Sequence, residues 1–240
     1  VVEELRPNLY DPVEGTTLAE AEVERLPRKT KLVDVRWSVE GDASSPVIIS
    51  TTRPELICAC GIVIVHPDDK RYKKLVGKNL ELPIDTSGRS KTVEIRANSS
   101  VNMEFGSGVL MVCSFGDQND VSVFRELGLT PFQAIDLEGK ITDIGGPLAG
   151  LPVIDARKKA LELLEKSDRI ENIEEREQEI PVSERGKNPI EIILLKEWYV
   201  RQTHIQDKLK ELSNEINFVP PRNKQFLLDW MENITIDWPV

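Results

Sequence analysis

Residues 46–67, PVIISTTRPELICACGIVIVHP, constrain the fold of this chain more than any other stretch. Two short runs rich in Val and Ile flank a polar segment, Thr51-Thr52-Arg53-Pro54-Glu55. Apolar runs this short, rich in β-branched residues, read as strands rather than helices. Pro54 cannot donate to a strand ladder and favours an extended Arg53, so the first strand ends there. A strand that only fills a core has no use for such a polar end. Its place is at the mouth of a barrel or cleft, where a pocket opens.

The rest of the chain repeats this pattern. Strands are expected at Lys31–Trp37, in KNLELPI and KTVEIRA, in GVLMVCS (108–114, buried on both faces) and in PIEIILLKEWYV. Helices are expected in DDKRYKKL, begun by an Asp cap, and over 117–127, stopped by Gly128. A third follows over 155–170, where Ala160, Leu163 and Leu164 share a face. After Trp198 the spacing turns helical: Leu209, Leu212 and Ile216, then Leu227, Trp230, Met231 and Ile234. Short strands with helices inserted in no regular βαβ order predict an α+β domain. A closed or half-closed β-barrel with peripheral helices is the expected architecture. Residues 1–195 are assigned to that domain, and 196–240 to a helical segment returning toward another one.

The totals limit the function classes. With 240 residues, 40% of them hydrophobic, the chain can bury a sizeable core. No apolar run approaches the ~20 residues of a membrane span. VVEELRPNLY has neither a basic nor an apolar signal-peptide region. The chain starts without Met and stops at IDWPV, so it is taken as a piece of a longer polypeptide. Cys58, Cys60 and Cys113 are an odd set in a charged chain, which points to a reducing cytoplasm. Cys58-Ala59-Cys60 has no second pair to complete a zinc knuckle, so no metal is expected. A net charge of −10 does not suit a free-standing nucleic-acid binder. The charge is uneven, however: Arg28, Lys29 and Lys31 cluster, as do Lys70, Arg71, Lys73 and Lys74, while Glu162 to Glu184 is acidic. Any RNA would be held weakly by this chain alone.

Several kinds of catalyst are missing. Neither common nucleotide-phosphate loop is present. The two histidines, His66 and His204, stand far apart. Two polar groups remain that packing explains poorly: Thr51 to Glu55, and GSGVLMVCSFGDQND, Gly106 to Asp120. Asp117 fits a helix N-cap, and Asp120 stands where a capping box places its acid. Taken alone, the pair reads as a cap ahead of a site. Gly106-Ser107-Gly108 suits a tight turn or a cradle of amides.

TTRPE, VHPDDKRYKKLVGK, EFGSGVLM and GDQND occur in that order, after YDPVEGTTLAEAEVE and before GGPLAGLPVIDARKKALELLE, LLKEWYV and IDWPV. This series resembles the editing domain of class I valyl-tRNA synthetases of archaeal type. That domain is the connective-peptide insertion shared with the leucyl and isoleucyl enzymes. The resemblance covers nearly the whole chain, and the Thr-Arg-Pro-Glu form favours the valyl branch. The His-x-Gly-His and Lys-Met-Ser-Lys-Ser signatures of the synthetic half are absent, so no ligase activity is expected of this chain.

The resemblance implies hydrolytic proofreading, the deacylation of Thr-tRNA(Val), without cofactor or metal. A hydrophobic pocket discriminates poorly against an isostere that only adds a hydroxyl, valine against threonine being the standard illustration, so a second site must remove the mistake. Asp120 would anchor the α-ammonium of the ester, and Asp117 would shape the pocket or order a water. Thr51 and Thr52 would bond the substrate or the terminal adenosine, and Arg53 would face the nucleotide. Glu55, Leu56, Met111, Cys113 and Phe115 would surround the substrate. Amides of Gly106, Ser107 and Gly108 would meet the oxyanion. The partners implied are the aminoacylated 3′ end of tRNA and the remainder of the synthetase.

The chain departs from the common pattern at Leu56, where many relatives have threonine. It also departs at Met111, Cys113 and Gly116, where bacterial enzymes usually have Lys, Thr and His. Its pocket is correspondingly less polar. Isoleucyl- or leucyl-type editing, and an inactive insertion that only positions the acceptor end, are the alternatives.

Overall fold

The computed structural model describes residues 1–88, 90–104, 106–232, 234 and 237–239. Phe105 of the EFGSGVLM run, and Ile236 and Val240 of IDWPV, lie outside the described residues. Two compact units are present, one of Pro7–Ile193 and one of Val1–Arg6 with Leu194–Val240.

The larger unit is an α+β domain on a curled sheet. Strand β1 (Val2–Asp11) pairs through Leu9–Asp11 with β2 (Thr16–Leu18). The main sheet begins with the long β3 (Val23–Val39), which turns back into β4 (Asp42–Thr51). It continues with β5 (Cys60–Val65), β6 (Asn79–Glu81), β7 (Thr92–Ala97) and β8 (Val109–Cys113). Helices α1 (Gln118–Glu126) and α2 (Val153–Lys166) follow, then β9 (Ile170–Ser183) and β10 (Glu191–Val200). The strand order is β4-β3-β6-β7-β5-β8, with β9 laid along β3. Strands β4 and β8, at opposite ends of this path, lie against one another. The sheet is therefore curled into a half-barrel, as the short-strand pattern leads one to expect.

Strand β5 explains why a continuous apolar run is needed. Val63 and Val65 face the main core with Trp37, Ile49, Leu80, Ile95, Leu148 and Leu164. Ile62 and Ile64 face the other way, onto Val112 and Phe124. A strand covered on both faces cannot alternate apolar with polar residues. Strand β8 follows the same rule in part: Val109, Met111, Val112 and Cys113 are buried, but Leu110 is 40% exposed, so burial on both faces is incomplete there.

Two expectations are corrected and one strand is added. DDKRYKKL forms a chain of turns rather than a helix. The amides of Tyr72 and Lys73 both seek the Asp69 carbonyl, and those of Leu75 and Lys78 reach only three residues back. The Asp69 carboxylate accepts the Arg71 amide, an Asx turn, and is held there by the Arg71 guanidinium. Strand β3 begins at Val23 rather than Lys31. The acidic stretch contains a strand, β9, whose residues pair along β3: Lys31 opposite Glu175, Lys29 opposite Glu177, Arg28 opposite Gln178. Opposite charges facing each other across an antiparallel ladder stabilise it without any apolar periodicity.

In the smaller unit, α3 (Gln206–Leu212) and α4 (Asn223–Glu232) are helical, and the end of β10 pairs with β11 (Trp238–Pro239). Arg6 joins it through ion pairs to Glu4 and Asp237 and lies over the Tyr199 ring at 4.4 Å. Ile216 and Ile234 fall beyond the helix ends. Among the described residues no helix is long and apolar enough to cross a membrane.

Candidate active site

The two polar groups singled out in the sequence meet along β8. A Cβ at Gly106 would touch Ser50 Oγ at 3.0 Å, and Cys113 Sγ donates to the Leu56 carbonyl at 3.3 Å. The stretch Ser50–Leu56 therefore runs beside 106–113. A 3-10 turn over Pro54–Ala59, buried throughout, carries the chain from β4 back into β5, whose first residue Cys60 pairs with Cys113.

After β8 the backbone reverses sharply. Phe115 is buried with φ +59°, a conformation that costs a bulky residue about 1 kcal/mol or more and that the surrounding structure must impose. The reversal starts α1 at Asp117, whose carboxylate accepts the Asp120 amide at 2.8 Å, so Asp117 is the N-cap. Asp120 does not complete a capping box. Its Oδ2 instead crosses to β8 and accepts the Cys113 amide at 3.1 Å. Among the described residues nothing hydrogen-bonds its other oxygen. Gly116 makes room for this: a Cβ there would sit 2.2 Å from Asp120 Oδ2. Helix α1 is seated by Phe124, its buried residue, whose ring occupies the space a side chain at Gly61 would need, at 2.4 Å.

Burial pushes the Asp120 carboxyl up, and the neighbouring Asp117 charge adds to this. The Cys113 amide and the Arg53 charge pull back, and the balance lies at about 8. The Cys113 thiol is also raised, by burial first and then by Asp120, so it is a packed, inert group rather than a nucleophile.

Arg53 and Glu55, expected around the substrate, are turned into the protein. Arg53 Nη2 donates to both oxygens of Glu191 on β10, at 3.0 and 2.8 Å. Its Nε donates to Glu55 at 3.0 Å, and its Nη1 reaches the Gly116 carbonyl at 3.4 Å. Glu55, fully buried, also accepts two bonds from Arg157 of α2, at 2.9 and 2.7 Å. Burial alone would raise the Glu55 carboxyl, but the Arg157 bonds and the Arg53 and Arg157 charges hold it below the usual range. Arg53 is likewise pulled down by burial and raised further by Glu191 and Glu55. Two carboxylates and two guanidinium groups thus close on one another. Losing one member of such a set leaves a buried charge, at a cost of roughly 3–5 kcal/mol.

The tandem threonines point differently. Thr51 Oγ1 accepts the Arg53 amide at 3.0 Å, a turn-forming bond. Thr52 and Pro54 line a groove of about 310 Å³ between β3, β9 and α2. Lys29, Lys31, Arg157 and Lys158 border it. Asp117 and Asp120 are not among its lining residues. The Thr52 hydroxyl has no hydrogen-bond partner among the described residues. Leu56, Met111 and Cys113 are buried. Ser107 turns its carbonyl to the Tyr72 hydroxyl at 3.0 Å, and Gly108 leaves room for Arg71. Gly106, Ser107 and Gly108 thus form a turn packed on Ser50 and the 69–72 segment.

Sequence reasoning missed Glu191 and Arg157. Glu191, in PIEIILL, is an acid inside an apolar strand run, a pattern that signals a buried partner. Arg157 had no comparable signal.

A half-barrel in which a Thr-Arg-Pro-Glu turn lies beside a Gly-Asp-x-x-Asp helix start is matched over residues 1–240 by the family model for class I tRNA synthetases (I, L, M and V). The chain belongs to that family. It is 41% identical over 96% of its length to the valine–tRNA ligase of Nanoarchaeum equitans, and 37% identical over 100% to that of Aeropyrum pernix. It is 38% identical over 94% to that of Methanocaldococcus jannaschii. It spans 30%, 29% and 25% of those relatives' own lengths.

Proposed function

We propose that this chain is the editing domain of a valine–tRNA ligase and hydrolyses threonine from mischarged tRNA(Val). One observation carries the reading. Asp120 is half-buried, held by a single backbone amide, and keeps its second oxygen unbonded beside the Thr-Arg-Pro-Glu turn. A cationic α-amino group is the partner that such a carboxylate lacks. The valine–tRNA ligase relatives support the choice of substrate.

The ester is bound by its ammonium on Asp120, which fixes the scissile carbonyl, and a charge-assisted bond of this kind is the strong, orienting kind. Water attacks that carbonyl. The bond between the acyl carbon and the ribose oxygen breaks, the ribose oxygen takes a proton, and free threonine leaves. Neither histidine is assigned as base: His66 Nδ1 is occupied by the Asp68 amide at 3.1 Å. The neighbouring ribose hydroxyl assists the water. Thr52 and the lysines of the groove receive the tRNA end, and the rest of the synthetase supplies most of the phosphate contacts.

The test offers Thr-tRNA(Val) and Val-tRNA(Val) to the intact synthetase and to its Asp120→Ala variant. Selective loss of the threonyl ester, abolished in the variant, is the expected result. Turnover of neither ester by the intact enzyme would overturn the proposal. It would instead favour a domain that only positions the acceptor end, a reading to which the buried Leu56, Met111 and Cys113 lend weight.

A further inference from the structure

Glu191 is a buried acid, 7% exposed, on a strand that supplies no other residue of the site, and the proposed hydrolysis does not use it. Its two oxygens grip one nitrogen of Arg53. The opposite side of that guanidinium meets the Gly116 carbonyl, and Gly116 is the residue against which Asp120 Oδ2 is packed. A continuous path of contacts therefore runs from Glu191 through Arg53 and Gly116 to Asp120. We infer that Glu191 is a positioning residue for Asp120, acting through Arg53: it holds the guanidinium against the Gly116 turn, where its charge bears on the aspartate.

The groups facing Asp120 can be named from each element. Asp117 faces it from its own helix start, and the Cys113 amide and thiol from β8. Arg53 faces it from the turn after β4, with Glu55 and Glu191 behind the guanidinium. Cys58 and Cys60 lie behind Cys113. Arg53 is the positive charge of this set. Glu55 is shared with Arg157, so Glu191 is the anion given to Arg53 alone. Losing the Glu191 charge loosens the guanidinium, and its positive charge bears less on Asp120. The carboxylate form of Asp120 then becomes harder to reach, and its midpoint rises. Removing the Arg53 charge acts in the same direction.

The consequence for hydrolysis rests on the proofreading reading; the consequence for Asp120 itself does not. The experiment therefore begins without substrate. Aspartate carboxyl carbons are labelled with ¹³C in the full 240-residue chain and titrated by NMR, with Asp120→Asn identifying the resonance. In Glu191→Gln the Asp120 midpoint is expected to move up from about 8 by up to about one pH unit, the scale of one partly screened charge at this range. In Arg53→Gln it moves up at least as far. In the Arg53→Gln background, adding Glu191→Gln has little further effect. A Glu191 that is merely structural would lower the Tm and leave the midpoint where it was, and that result overturns the inference. A shift that persists undiminished without Arg53 also overturns it. If Glu191→Gln does not fold, Arg53→Gln decides: an unmoved midpoint there is equally fatal. In the intact synthetase, the acidic limb of kcat/KM for Thr-tRNA(Val) hydrolysis should follow the midpoint. A moving midpoint with no hydrolysis in any variant refutes proofreading and leaves the coupling standing; hydrolysis with an unmoved midpoint does the reverse.

Discussion

At the scale of single residues, Asp120 bears the proposed chemistry and a cost. Its folded midpoint, about 8, lies above the ordinary carboxylate value of 3.8. The folded chain therefore holds the proton more tightly than the unfolded chain, and stability falls as pH rises from about 4 to about 8, then levels. Asp120→Asn keeps an acceptor for the Cys113 amide and removes the charge. It should be more stable than wild type above pH 8, by about 1.4 kcal/mol for each pH unit by which folding raises the midpoint, and equal to it below pH 4, measured by urea unfolding across pH. Activity runs the other way. In the proposed reaction the carboxylate form grips the ammonium, so kcat/KM should drop about tenfold for each pH unit below the midpoint. Gly116→Ala tests the same contact by shape. A methyl group 2.2 Å from Asp120 Oδ2 must displace that carboxylate. Hydrolysis should fall by about a hundredfold, while the melting temperature changes by only a few degrees.

At the scale of elements, two packings determine where that aspartate stands. Helix α1 is docked through Phe124 into the gap left by Gly61 on β5. Gly61→Ala drives the ring off the strand, and a loss of about 1–3 kcal/mol in denaturant unfolding is expected, with weaker hydrolysis because Asp120 travels with its helix. The second packing is the β3–β9 ribbon, where Lys29 and Lys31 face Glu177 and Glu175. Lys31→Glu would set like charges across the ladder and should cost about 0.2–1 kcal/mol. That deficit should shrink in 1 M salt, where screening acts within about 3 Å, whereas the Gly61→Ala deficit should not. These two elements also differ in how visible they are in the sequence. The apolar run of β5 is evident from its residues alone. β9 is not, because its stability comes from a partner more than a hundred positions away rather than from its own periodicity.

At the scale of the whole molecule, a chain with net charge −10 must engage a polyanion through a small basic area or through other parts of the polypeptide. The groove bordered by Lys29, Lys31, Arg157 and Lys158 is such an area, although Arg157 and Lys158 already have acidic partners in Glu55 and Asp155. The isolated chain should therefore bind tRNA far more weakly than the intact synthetase, with a shallower dependence of log Kd on log salt, measurable by filter binding between 50 and 200 mM salt. A steep slope for the isolated chain would contradict this. The α+β class, the half-barrel, the Asp117 cap and the family follow from local signals and ordered motifs, because strand length, turn residues and caps are properties of neighbours in the chain. The orientation of Arg53, the partnership of Glu191 with it and the burial that lifts Asp120 were decided by tertiary structure alone. Residues 53 and 191 stand 138 positions apart, and both desolvation and Coulomb attraction depend on distance through space, which no reading along the chain measures.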